Sequence, residues 1–212
     1  MGRKTIAILT VLAFLAALLA VTVPLALRIR ALLEQERTVS EVRERMAALE
    51  GEKLTRNQNL ARWYNRNLTL ENPEPGFRAA YDSIFNLGQG RMGLLEVPEL
   101  KLALPITHGM TGQAGHDPAS PLPVGGQGNH IVIFLEENQP FVEGMAVYID
   151  LPGEKLCFAV QSIQVMPGQW SIECPSPAEM LILVIDQGDR RTIVRCVGIS
   201  DSEVPGNGAM NG

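Results

Sequence analysis

Residues 5–27, "TIAILTVLAFLAALLAVTVPLAL", carry no charge over 23 positions. A helix rises 1.5 Å per residue, so a run of this length reaches roughly 34 Å, enough to cross the hydrocarbon core of a bilayer. Residues 1–27 are therefore expected to form a transmembrane anchor. Arg3 and Lys4 precede the run and Arg28 and Arg30 follow it. The flanking charges orient it only weakly, and the amino terminus tips it toward a cytoplasmic N-terminus. A cleaved signal peptide is the rival reading, with small residues at Ala17–Ala20 as the cleavage site. The apolar run continues well past that point, which favours an uncleaved anchor. Either way, the remainder is expected on the extracytoplasmic side of the cell membrane, held by a single pass.

The character changes at residue 28. "RIRALLEQERTVSEVRERMAALEGEKLTRNQNLARWYNRNL" (28–68) is rich in Glu, Arg, Leu and Ala and has no proline. Val39, Val42, Met46 and Leu49 recur at three- and four-residue steps, the pattern of an amphipathic helix. Gly51 is expected to break it in two, and Trp63 and Tyr64 to pack it onto the C-terminal domain. Its mixed charges read as a solvated face rather than a ligand patch. Residues 28–89 are expected to form a helical stalk followed by a degenerate lid-like segment.

From about residue 90 the pattern becomes short β-like runs cut by Gly and Pro: "GLLEVPELKLALPI", "NHIVIF", "MAVYIDL", "KLCFAVQSIQVM", "EMLILVID" and "RTIVRCV". Several short strands at regular spacing predict an all-β barrel or sandwich over 90–199. The loop at 107–128 is long and rich in Gly and Pro, as functional loops often are. The tail 200–212 is polar and glycine-rich and is expected to fray.

With 212 residues and 46% hydrophobic content, the chain can bury one proper core beside an extra segment. A formal net charge of −5 gives no reason to expect nucleic acid. Cys157, Cys174 and Cys196, with His108, His116 and His130, match no metal-ligand spacing, so no metal and no cofactor are expected. A Cys157–Cys174 disulfide stays open, since buried thiols are common.

Four stretches in order resemble one family. They are "ARWYNRNL" (61–68), "MGLLEVPELKLALPITHG" (92–109), "AGHDPASPLPVGGQGNH" (114–130) and "RTIVRC" (191–196). They are similar to the Tyr-Asn segment, the "IPKI…LPIYHGT" strand pair, the "GHxxxSSLPVGG…H" loop and the "TLxTC" cysteine strand of sortases, specifically class C, pilin-polymerising sortases. The resemblance spans roughly 60–197. It implies an eight-stranded β-barrel outside the membrane, in which a Cys attacks the Thr–Gly bond of an LPXTG-type sorting signal. An amine then resolves the acyl-enzyme.

By this resemblance Cys196 takes the nucleophile position, where the strand is expected to give way to Gly198. The family's catalytic His falls on Glu136, followed by Glu137. His130 lies six residues earlier, roughly 20 Å along an extended strand. His116 matches a family position that does no chemistry, and it and His108 are expected to be satisfied loop histidines. The family's Arg belongs on the strand after the Cys, yet 197–212 contains no Arg, Lys or His. Arg195 points away from whatever Cys196 faces, because adjacent strand residues alternate. Arg190 and Arg191 belong to the preceding turn. The class C lid is degraded to "LENPEPGF" (70–77).

A carboxylate beside a thiol raises the thiol pKa from its usual value of about 8.5. With one catalytic position kept out of three, the implied function is a pseudo-sortase lacking the catalytic His and Arg, a membrane-anchored protein related to surface-protein sorting and pilus assembly. It would bind a sorting-signal peptide, a pilin or an active sortase. The alternative is an active cysteine transpeptidase with a rebuilt site that recruits His116 or Glu136. A purely structural wall-associated protein is a third reading.

Overall fold

The computed structural model describes residues 2–68, 74–124, 130–167 and 180–200. It divides into two compact units, Met1–Ser40 and Glu41–Gly212. The first unit belongs to helix α1 (Arg3–Ala47). Its side chains between Val11 and Leu33 include many large apolar groups more than half exposed, such as Phe14 at 70% and Leu27 at 62%. This helix is long and apolar enough to cross a membrane.

In the second unit, α1 ends at Ala47 and α2 (Gly51–Leu68) begins at a glycine whose φ of +59° few other residues adopt. A short α3 (Phe77–Ser83) follows. The strands are β1 (Arg91–Val97), β2 (Leu102–His108), β3 (Ala114–His116), β4 (His130–Leu135), β5 (Ala146–Leu151), β6 (Glu154–Pro167), β7 (Met180–Asp186) and β8 (Arg190–Gly198). They close into a barrel in the order β1-β2-β3-β4-β7-β8-β6-β5. The fold is mainly β, an eight-stranded barrel preceded by helices.

Closure follows from the side-chain pattern. On β4, Ile131, Ile133 and Leu135 join the main core, with Leu181, Leu183 and Ile185 of β7 and Val194 and Cys196 of β8. The alternate residues Val132, Ile182, Val184 and Ile193 form a second buried cluster on the outward face, with Phe134 and Met166 packed against it. Both faces are apolar, so "HIVIFL" and "LILVI" read as continuous apolar runs. The run "GLLEVPELKLALPI" is two strands, since Pro98–Leu100 makes one turn of 3-10 helix between them. β1 bulges at Gly93, where an added Cβ would lie 2.4 Å from the backbone oxygen of Asp150.

The helices of this unit are pinned to the barrel by named groups. Arg43 donates to Glu96 of β1 at 2.6 Å, and Lys155 of β6 reaches the same carboxylate at 3.4 Å. Tyr64 is buried, its ring 5.0 Å from Phe77 and 4.8 Å from Tyr81. Its hydroxyl donates to the carbonyl of Pro118. Asn65 closes a two-way bridge with Leu122, its amide donating at 3.2 Å and its oxygen accepting at 2.7 Å.

Candidate functional site

Cys196 lies inside β8, opposite Val160 of β6 and Leu181 of β7. Strand pairing runs on to Gly198, so the expected strand end at the cysteine is displaced by two residues. The cause is local: "TIVRCV" keeps alternating apolar residues that the core and the neighbouring strands accept on both sides. Cys196 is 0% exposed and part of the main core. Burial pushes its thiol up to about 12. A thiol in that state is a small apolar side chain, because the nucleophile is the thiolate. Arg195 takes the opposite phase of the strand and is partly exposed.

Glu136 follows the last residue of β4 and is exposed; its N–H donates to the carbonyl of Gln113 at 3.2 Å. The register fixes its place. Ile131 of β4 pairs with Leu181 of β7, which pairs with Cys196 of β8. Leu135 pairs with Ile185, which pairs with Thr192. Glu136 therefore lies five rows from the cysteine, roughly 17 Å along the sheet at ~3.3 Å per residue. The sequence reading brings Glu136 close to Cys196; the barrel puts them at opposite ends. The thiol pKa is raised by desolvation, not by a neighbouring carboxylate.

What Glu136 does share is an end of the barrel. Asp186 closes β7 and pairs with Arg191 near the start of β8. Its Oδ2 accepts from Arg191 Nη2 at 3.0 Å and from Nε at 3.1 Å. Its Oδ1 accepts the Gly188 N–H at 2.9 Å, and Gln187 N–H donates to the Arg190 carbonyl at 2.9 Å, closing the hairpin. The Gly188 amide and then the Arg191 guanidinium hold the Asp186 carboxyl below the usual range. Both residues stand in the outward phase of their strands, the phase of Ile182, Val184 and Ile193. Arg191 is thus a strand residue facing a carboxylate, where the sequence alone suggests a turn. Arg190 lies 3.9 Å from Asp189 and both are exposed.

The histidines are elsewhere. His116 is on strand β3 rather than in a loop, and fully buried. Its Nε2 lies 3.1 Å from the Pro121 carbonyl and 3.1 Å from Ser120 Oγ. Its Nδ1 lies 3.5 Å from Tyr81 Oη, which accepts the Gly109 N–H at 3.0 Å. These partners assign the proton to Nε2, with Tyr81 donating to Nδ1. Burial pulls its pKa down to about 4, so the ring is neutral. Three strand steps, β3-β4-β7-β8, separate it from the strand of Cys196, about 14 Å at ~4.8 Å each. It is not placed to serve that thiol. His108 packs on Tyr81 with ring centroids 4.6 Å apart, and its Nε2 faces the Ile84 carbonyl. His130 starts β4, opposite Met180.

Of the lid-like stretch, 70–73 lie outside the described residues. Glu74 accepts from Trp63 Nε1 at 3.1 Å and Phe77 packs between Trp63 and Tyr64, so this part is bound to α2. Cys174 also lies outside the described residues, as do 125–129 at the end of the long loop and the tail from 201. Among the described residues no group of three or more His, Cys, Asp or Glu is placed to hold a metal ion.

Sequence reasoning missed Asp186 and Arg191. The signal was present in "EMLILVIDQGDRRTIVRCV", two apolar runs of strand length joined by a Gly-Asp turn, but the letters "TIVRC" drew the match to the second run. No protein-family model matches the chain. No curated protein matches it. Solved structures do. A crystal structure of sortase C1 from Streptococcus agalactiae superimposes with a TM-score of 0.66 and 18% identity, covering 78% of this chain and 99% of that one. Sortase C from Clostridium perfringens SM101 gives 0.63 and 21%, covering 77% and 99%. Clostridium perfringens sortase C solved with the C-terminal cell wall sorting motif gives 0.63 and 22%, covering 77% and 98%. This chain has the fold of the class C sortases.

Proposed function

We propose that this sortase-fold chain is an extracytoplasmic, membrane-anchored protein that binds a sorting-signal-type peptide without cleaving it. Its ligand end is the end of the barrel bearing Glu136, Asp186 and Arg191. The observation that carries the reading is the Asp186–Arg191 pair. The resemblance calls for a nucleophile strand followed by a strand bearing an Arg. β7 followed by β8 meets that order, with Arg191 on the second strand, and the residue facing it is an aspartate.

The chemistry supports binding rather than turnover. An aspartate already neutralised by a guanidinium and a backbone amide is a weak nucleophile toward an amide bond. The carboxyl side chain of Glu136 offers no imidazole to protonate a leaving amine. Cys196 is buried about 17 Å from this end and is no nucleophile for a peptide bound there. The solved complex of the Clostridium perfringens protein with its sorting motif makes a peptide of that class the natural first ligand.

The test is a titration of the full chain, in zwitterionic detergent micelles, with a fluorescein-labelled LPXTG-type peptide. Saturable anisotropy with intact peptide by mass spectrometry is expected, and Cys196→Ala is expected to bind equally. A covalent peptide adduct that disappears in Cys196→Ala would overturn the reading in favour of an active transpeptidase.

A further inference from the structure

α2 carries four basic residues, Lys53, Arg56, Arg62 and Arg66, against one acid, Glu52, on a chain whose net charge is −5. The excess is spent on a concave face. A cavity of about 750 Å³ runs beside the helix and is lined by Arg56, Leu60, Trp63 and Arg66, with Glu52 at its N-terminal end. A second, of about 310 Å³, adjoins it through Arg56 and Leu60 and is lined also by Leu49 and Lys53. Fourteen helical rises from Glu52 to Arg66 make this groove roughly 21 Å long. Among the described residues, Lys53 and Arg56 have no carboxylate partner.

From this geometry we propose that the groove along α2 docks an acidic, apolar-bearing peptide segment of a partner protein. Cations flanking the groove complement carboxylates, and unpaired cations lose no existing ion pair on binding. Leu49, Leu60 and Trp63 form an apolar floor. A phosphodiester polymer or a lipid headgroup would leave that floor uncovered, whereas side chains of an extended peptide fill it. A groove of this length holds about six extended residues at ~3.3 Å each. The surface is separate from Glu136, Asp186 and Arg191, so it stands or falls independently of the peptide-binding reading above.

The test uses the full chain in zwitterionic detergent micelles and a fluorescein-labelled peptide of alternating Glu and Leu. Binding is expected, weakening severalfold between 50 and 500 mM salt as exposed charges are screened. Lys53→Glu with Arg56→Glu should weaken it about tenfold or more, and Leu60→Asn should weaken it as well. Both charged side chains are exposed, and circular dichroism melts of the variants should match the parent; if the double variant melts early, Arg56→Ala alone carries the comparison. LPXTG-peptide binding should be unchanged in all of them. Failure of the Glu-Leu peptide to bind would overturn the proposal. So would binding of a Lys-Leu peptide with equal affinity. Binding of inorganic polyphosphate or anionic vesicles that Leu60→Asn leaves untouched, with no gain for the peptide, would identify a general polyanion surface instead.

Discussion

Arg191 and Cys196 share β8, yet Arg191 holds the Asp186 carboxylate at 3.0 Å on the outward face while Cys196 sits at 0% exposure in the barrel core. Five residues apart on one strand, they occupy opposite phases and opposite ends. A thiol and a guanidinium so placed cannot act on the same peptide bond. This arrangement sets the chemistry expected of the chain.

The buried thiol should be inert. In native protein, alkylation of Cys196 by iodoacetamide should stay slow from pH 6 to 9 and become fast only in denaturant, read by peptide mapping so that Cys157 and Cys174 are counted apart. Cys196→Ala should cost about 1 kcal/mol in urea melts, the cost of a small core truncation. Rapid labelling at pH 7 would contradict its burial.

A thiol at the end of β7 should behave differently. Asp186→Cys places it beside Arg191, and a cation within a few ångströms favours the thiolate. Its labelling rate against pH should give an apparent pKa below the usual value of about 8.5. Adding Arg191→Ala should raise that pKa again. Adding Glu136→His tests whether this end of the barrel can be made reactive toward an LPXTG-type peptide; formation of a covalent adduct in that double variant, absent from the parent, is the expected result. If Asp186→Cys titrates no lower than a free cysteine, Arg191 is not positioned for the role.

Acid should weaken the fold before the carboxylates titrate. His116 has a native pKa near 4, while an unfolded histidine titrates near 6.5. The native pKa is depressed, so between those values the unfolded state binds more protons, and stability falls as pH drops from about 6.5 toward 4. Integrated over that window the loss is about 3 kcal/mol, levelling off below the native value. His108, also depressed by burial, acts in the same direction. Glu96 and Asp186, whose carboxyls are held low, add their losses at more acid pH. Urea melts at pH 7, 6, 5 and 4 should show this slope, and His116→Gln should flatten it over a lower baseline. A parent whose stability is level between pH 6.5 and 5 would contradict the buried neutral histidine.

The apolar part of α1 should anchor the chain. Full-length protein is expected in the membrane fraction and to resist carbonate extraction, while a chain starting near residue 35 should be soluble. Recovery of a mature N-terminus near residue 21 would show instead that the segment is a cleaved signal.

Local sequence sets the elements. A charge-free run of 23 residues, the switch at residue 28, the break at Gly51 and the short apolar runs after residue 90 each follow from local physics: helix rise, turn chemistry and side-chain alternation. That is why the barrel and its helices are legible, with Trp63 and Tyr64 read correctly as packing residues. The site is not, because it depends on which row of one strand meets which row of another. Local pattern marks "TIVRC" and "LILVID" alike as strands with a polar or reactive end. Only the parallel pairing of β4 with β7, and the antiparallel return of β8, decide that Glu136, Asp186 and Arg191 share one end. Cys196 belongs to the other, facing inward. Register is a long-range property, set by how both apolar faces of these strands are buried at once, and a shift of one residue would turn every side chain to the other face.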